Sequence, residues 1–224
     1  MIDLHASKAL FAKLPVDDQG RLPIQQASHY IVQREVPLAV NPLSGWQAHL
    51  FTLQRRQCVL WVHGATRFPL FMSCLSKADF KDLQWRFVDT LMNTLLKAGA
   101  SDWQMQTADA LLQPLQIDSV CDRSMQATIN RMKGDIEHSL YYHESKVADL
   151  SSYRTGAWLA DRPTKVKGQK DYLWPQQEML ALLDKAASSL LDCGSLPPTE
   201  TEAESEVIDD NVVSLSAYRE ERKP

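Results

Sequence analysis

Residues 45–71 read GWQAHLFTLQRRQCVLWVHGATRFPLF, and the pattern of this stretch decides the fold. Aromatic and β-branched side chains fill two runs, 46–53 and 57–62, on either side of the polar Gln54, Arg55 and Arg56. Such residues suit a pleated, half-buried surface, and the polar interval supplies a turn. A third run, 67–71, follows the turn-like His63-Gly64-Ala65-Thr66. The stretch therefore predicts a β-meander. Because Cys58, Val59, Leu60, Trp61 and Val62 leave no polar face, the middle strand is expected to be central and covered on both sides. A turn centred on Gln54 and Arg55 would set Trp46 and His49 across from Trp61 and His63.

Toward the N-terminus, residues 2–5 alternate apolar and polar and predict a short strand. A short helix is expected over 6–14, where Leu10, Phe11 and Leu14 recur at helical spacing. Pro15, Gly20, Pro23 and Pro37 make residues 15–40 a loop with one extended stretch at 29–36. On the other side helices take over. Over 79–97, Phe80, Leu83, Phe87, Val88, Leu91, Met92 and Leu95 form one stripe, and Gly99 stops it. Ser101 and Gln104 form a capping box for a helix carrying Trp103, Ala108, Leu111 and Leu112 that ends at Pro114. Asp122 caps a third helix striped by Met125, Ile129, Met132, Ile136 and Leu140, with Gly134 a local weakness. Periodicity fades over 141–174, and Pro175 then opens a last helix whose Met179, Leu182, Leu183, Ala186 and Leu190 dock on the core.

The expected fold is α+β, an antiparallel β-meander packed against several helices, with a docked C-terminal helix and a disordered acidic tail. Residues 1–150 form the main domain, 151–192 a basic and aromatic loop with the docked helix, and 193–224 the tail. The tail stretch PPTETEAESEVIDD carries six acidic residues and no aromatic one, so it cannot bury enough apolar surface to offset its ordering entropy. The apolar NVVSLSAYR that follows offers Val212, Val213, Leu215 and Tyr218 to a protein partner, or to the chain's own domain.

Composition bounds the class. With 224 residues, 44% hydrophobic and 23% charged, the chain can bury a core of its own. Cys58, Cys74, Cys121 and Cys193 are too scattered for a disulfide scaffold or a zinc knuckle and are expected as reduced thiols. No secretory pattern opens the chain and no apolar run approaches the roughly 20 residues of a membrane span, so a cytoplasmic location with no membrane partner is expected. The net charge of −4 is uneven: residues 193–224 hold three basic and eight acidic residues, a net of −5, leaving residues 1–192 at +1. That near-neutrality does not favour a nucleic-acid partner.

Candidate chemistry is sparse. Arg55 and Arg56 at the hairpin tip could clamp a phosphate or carboxylate, although a solvated turn is the commoner role for such a pair. His49 and His63 on neighbouring strands could bind a metal or move protons, but nothing is spaced to complete a ligand set, and aromatic packing accounts for them. His138 and His143 fall on different helix faces. Asp122, Arg123 and Ser124 are explained by a helix start. Arg162, Lys165, Lys167 and Lys170, interleaved with Tyr153, Trp158, Tyr172 and Trp174, have the composition of a single-strand nucleic-acid loop, against the plainer reading of a solvated loop docked by its aromatics. No nucleophile elbow, Walker loop, dinucleotide fingerprint or HExxH motif occurs, so no catalytic residue, metal or cofactor is expected.

At residues 45–71, and again at DRSMQATIN over 122–130, the chain resembles a bacterial family known only as a domain of unknown function. Trp46, Ala48, Arg55, Arg56, Cys58 and Arg123 match its Trp-x-Ala strand, paired-arginine turn, Cys-containing strand and following helices. His49 stands where relatives commonly carry Asn. The resemblance covers residues 1 to about 140. It implies this fold and a bacterial origin, and it implies no reaction. The resulting expectation is a binding or regulatory module with a candidate site at Arg55, Arg56, His49 and Arg123. A nucleic-acid-associated protein using Arg55, Arg56 and the 162–170 loop is the alternative, and a hydrolase with an unfamiliar site is more remote.

Overall fold

A computed structural model describes residues 1–23, 38, 40–166 and 170–193. The meander is present as β2 (Trp46–Leu53), β3 (Arg56–His63) and β4 (Pro69–Leu75), joined antiparallel. The strands beside the meander make the whole sheet mixed. β1 (Ile2–Ala6) runs parallel to β2 on one side and to β5 (Leu115–Asp118) on the other, giving a mixed five-stranded sheet in the order β4-β3-β2-β1-β5. β5 directly follows Pro114.

The period of two along each strand sorts side chains onto two faces. One face presents Leu4, Trp46, Ala48, Val59, Trp61 and Leu70 to α3 (Leu83–Lys97), α4 (Asp102–Leu111) and α7 (Pro175–Asp192). At its centre Phe87 meets Trp46 edge-on at 5.4 Å and Trp61 at 5.1 Å, all three fully buried. The opposite face presents Cys58, Leu60, Val62 and Phe71 to the stripe Met125, Ile129, Met132, Ile136 and Leu140 of α5 (Arg123–Tyr142). β3 is thus central and covered on both sides, and α5 runs through Gly134 unbroken.

The helix starts and stops follow local chemistry. Ser101 and Gln104 close a reciprocal capping box at the start of α4, and Asp122 accepts from the backbone N–H of Ser124 and Met125 at the start of α5. Gly99 takes φ +82 after α3, and Pro175 occupies the first turn of α7. The single helix expected over 79–97 is instead α2 (Lys77–Lys81) followed by α3, since Asp82 leaves helical geometry between them. α1 is shorter than expected, Lys8–Phe11. Gln104 fastens α7 by donating to the Leu180 carbonyl (3.4 Å) and the Asp184 carboxylate (2.9 Å).

The stretch without periodicity also holds structure: α6 (Ser152–Ala160) and a small hairpin of β6 (Thr164–Lys165) and β7 (Tyr172–Leu173). α6 lies along β4 and α3. Tyr153 donates to Asp89 at 2.6 Å, a bond that raises the phenol to about 12, and the Ser152 hydroxyl accepts from the Ser73 backbone N–H of β4 at 3.4 Å. On the far side of the sheet, Gly20 at φ +74 brings its carbonyl to the Ile117 N–H of β5 (2.8 Å), and Arg21 bridges to Gln116. The extended stretch expected at 29–36 and the tail with Val212, Val213, Leu215 and Tyr218 lie outside the described residues.

Gly156 of α6 permits the close approach to α3. An added Cβ would lie 2.9 Å from Thr94 Cγ2, 3.2 Å from Thr94 Oγ1 and 3.4 Å from the Pro69 carbonyl. Thr94 is fully buried and β-branched, so it cannot swing aside. Gly156→Ala is expected to destabilise the protein by roughly 1–3 kcal/mol in urea unfolding, despite the intrinsic helical advantage of Ala. The cost should shrink in a Thr94→Ala background, and additive effects of the two substitutions would contradict the contact.

His63 is fully buried against Trp46 at 5.0 Å. One neutral tautomer satisfies its surroundings: Nε2–H donates to the Ser44 carbonyl (3.0 Å), and Nδ1 accepts from the Thr66 hydroxyl (2.9 Å), which itself accepts from the Phe68 N–H. Burial first, with the Arg67 charge adding to it, pushes the imidazole down to about 4. The unfolded state therefore binds the extra proton between pH 6.5 and about 4, and stability present above pH 6.5 falls as pH drops through that window, by on the order of 3 kcal/mol. His63→Gln should lower the melting temperature at pH 7 and flatten its dependence on pH across this range. An unchanged slope would assign the acid sensitivity to other groups.

Candidate functional site

The antiparallel register explains where the expected site residues fall. Gln54 and Arg55, at φ 44 and 65, form the two-residue turn between β2 and β3. The Gln54 side chain donates to the Ser145 carbonyl (3.0 Å) and accepts from the Val147 N–H (2.8 Å), so the tip is tied to the chain just beyond the C-terminus of α5. Arg55 and Arg56 are exposed there. Arg123 begins α5 at its other end, where the Gln47 side chain accepts from the Asp122 N–H at 3.2 Å. A 20-residue helix, about 30 Å long, separates the two sets of arginines.

His49 belongs to neither end. Its ladder partner is Leu60, which faces α5, and the imidazole is half-buried with Nε2 lacking a hydrogen-bond partner among the described residues. Burial lowers its pKa. His63 packs on the opposite face, against Trp46, so the two histidines cannot share a metal ion. Arg55, Arg56, His49 and Arg123 thus do not share one pocket: a two-residue turn fixes the strand pairing, and α5 spans the distance between the two ends.

What the fold does assemble is a cleft of about 520 Å³ beside the first half of α5, lined by Arg123, Ser124, Ala127, Thr128, Arg131 and Lys165. Arg123, Ala127 and Arg131 succeed each other at four-residue intervals, which places them on one helix face. Arg131 donates to Thr164 Oγ1 at 2.6 Å, pinning β6 against α5 and setting Lys165 on the facing wall. Three cations and two hydroxyls thus share one cavity, and among the described residues that line it there is no carboxylate. Asp122 is engaged elsewhere, its Oδ1 accepting from the Ser124 N–H (2.6 Å) and the Met125 N–H (3.0 Å).

A fourth cation lies beneath this end of α5. Arg67, at φ 60 and only 9% exposed, donates to Ser124 Oγ at 3.3 Å and to Met125 Sδ. Among the described residues it makes no ion pair with a carboxylate. Burial lowers the pKa of its guanidinium, and the Asp122 charge opposes that shift. The Asp122 carboxylate at the start of α5 therefore offsets part of this charge.

The described cations of the 162–170 loop have different surroundings. Arg162 pairs with Asp135 at 3.7 Å and stacks on Trp158, its Cζ 4.7 Å from the ring centroid. Lys165 stands 5.7 Å over Tyr172, its ladder partner across β6 and β7. Lys170 is exposed, and Lys167 lies outside the described residues. Three features were missed in the sequence. The eight-residue spacing of Arg123 and Arg131 was a readable sign of a shared face. Arg67 gave no sign, nor did the pair formed by His5 Nδ1 and Asp118 Oδ1 at 2.7 Å across β1 and β5. Among the described residues no group of three or more His, Cys, Asp or Glu is placed to hold a metal ion, and no helix is long and apolar enough to cross a membrane.

Comparison with curated proteins and with solved structures gives no match. Comparison with family models matches residues 3–178, which carries the relationship past residue 140, through the cleft and into the start of α7. That match spans more than three quarters of the chain, which therefore belongs to the family described as a domain of unknown function, DUF6933.

Proposed function

We propose that this chain is a non-enzymatic binding module that takes a phosphate-bearing anion in the cleft between α5 and β6. The observation that carries this reading is the convergence of Arg123, Arg131 and Lys165, with the hydroxyls of Ser124 and Thr128, on one cavity with no carboxylate among the described residues that line it. Guanidinium groups offer flat, paired donors suited to phosphate oxygens, and an ammonium adds a mobile point charge. Arg67 adds positive field from below the same wall. Binding without turnover is supported by the state of the nucleophile and base nearest the sheet centre. The Cys58 thiol is buried and its pKa raised by that burial, and both ring nitrogens of His63 are engaged in hydrogen bonds.

Calorimetric titration with inorganic pyrophosphate tests the reading. Saturable binding is expected, weakened about tenfold or more by Lys165→Ala or Arg123→Ala, in line with the strength of charge-assisted hydrogen bonds. The double substitution Arg55→Ala/Arg56→Ala should leave it unchanged, because those side chains lie at the far end of α5. Absence of binding at millimolar pyrophosphate would overturn the proposal. Loss of binding in the hairpin-tip variant, with Lys165→Ala unaffected, would overturn the assignment to this cleft.

A further inference from the structure

Resting on the anion-binding reading above, we infer that the phosphates this cleft takes are those of single-stranded nucleic acid, whose bases stack on the aromatic side chains beside it. The cleft is one end of a longer track. Arg123 and Arg131 lie two turns apart on one face of α5, about 12 Å along its axis, and Arg162 lies one turn further on in an ion pair with Asp135. That length accommodates a few consecutive phosphates.

Two aromatic rings flank this track and remain open to solvent. Tyr172, 61% exposed, stands across β6 and β7 from Lys165, whose ammonium also lines the cleft. Trp158, 40% exposed, carries the Arg162 guanidinium on its face. A cation beside an exposed ring provides the two contacts that a single strand needs, one for a phosphate and one for the face of a base. Two carboxylates beside the track have partners of their own. Asp135 pairs with Arg162, and Asp122 caps α5.

A duplex cannot use these rings, since its bases are stacked on one another, so the surface discriminates by strandedness. The near-neutral charge of residues 1–192 is compatible with this, because few phosphates are engaged and affinity depends on stacking as much as on counterion release.

Fluorescence anisotropy of a labelled oligothymidylate of about twelve nucleotides, run beside a duplex of the same length and beside the pyrophosphate titration, tests the inference. Binding of roughly micromolar strength at low salt is expected, tighter for the single strand than for the duplex and weakening with added salt. Tyr172→Ala and Trp158→Ala should each weaken oligothymidylate binding about tenfold while leaving pyrophosphate binding intact. Lys165→Ala should weaken both ligands. Pyrophosphate binding without a preference for the single strand, or without any effect of the aromatic substitutions, would overturn this inference and leave the anion site standing. Failure of both ligands to bind would overturn the two together.

Discussion

The pairing of β2 with β3 is the constraint on which the rest of the molecule depends. Its two-residue turn places Trp46 opposite His63, Ala48 opposite Trp61 and His49 opposite Leu60. A slip of β3 by one residue against β2 would exchange its faces, sending Trp61 toward α5 and Leu60 and Val62 toward Phe87. Neither helical layer could then pack. The turn holds this register although neither Gln54 nor Arg55 is a glycine, and the two hydrogen bonds that Gln54 makes to Ser145 and Val147 help to keep it in place.

The same register makes α5 a spacer. Its apolar stripe is committed to the sheet, so its polar face is free to carry chemistry, and its two ends meet different surroundings. At the C-terminal end are the exposed Arg55 and Arg56, together with Tyr141 and Tyr142. At the N-terminal end, β6 and the buried Arg67 bring positive charge toward Arg123 and Arg131. Of the arginines that the sequence singles out as one site, only Arg123 belongs to the cleft.

Legibility in the sequence followed the strength of local patterns. The meander, the stripes of α3, α5 and α7, the capping box at Ser101 and the cap at Asp122 were readable because each is written in a few neighbouring residues. The parallel partners of β1 were not, because β1 and β5 are short and separated by more than a hundred residues, and no local rule joins Ile2 to Leu115. α6 escaped because Gly156, placed there for close packing on Thr94, lies inside a short helix with little periodicity. The cleft was half legible. Arg123 and Arg131 share a helix face by spacing alone, whereas Lys165 reaches them only through a two-residue strand fixed by one hydrogen bond from Arg131.

The closing of β5 by the turn at Gly20 has a consequence for how the molecule behaves in a crowd. An open strand edge is a template on which a second sheet can grow, and this sheet has two margins. On β4 the Ser73 N–H is taken by Ser152 of α6; on β5 the Ile117 N–H is taken by the Gly20 carbonyl. The second closure tolerates no side chain, since a Cβ at Gly20 would lie 2.2 Å from the Ile117 carbonyl oxygen. One glycine, remote from the cleft, thus helps to keep the protein from assembling edge to edge.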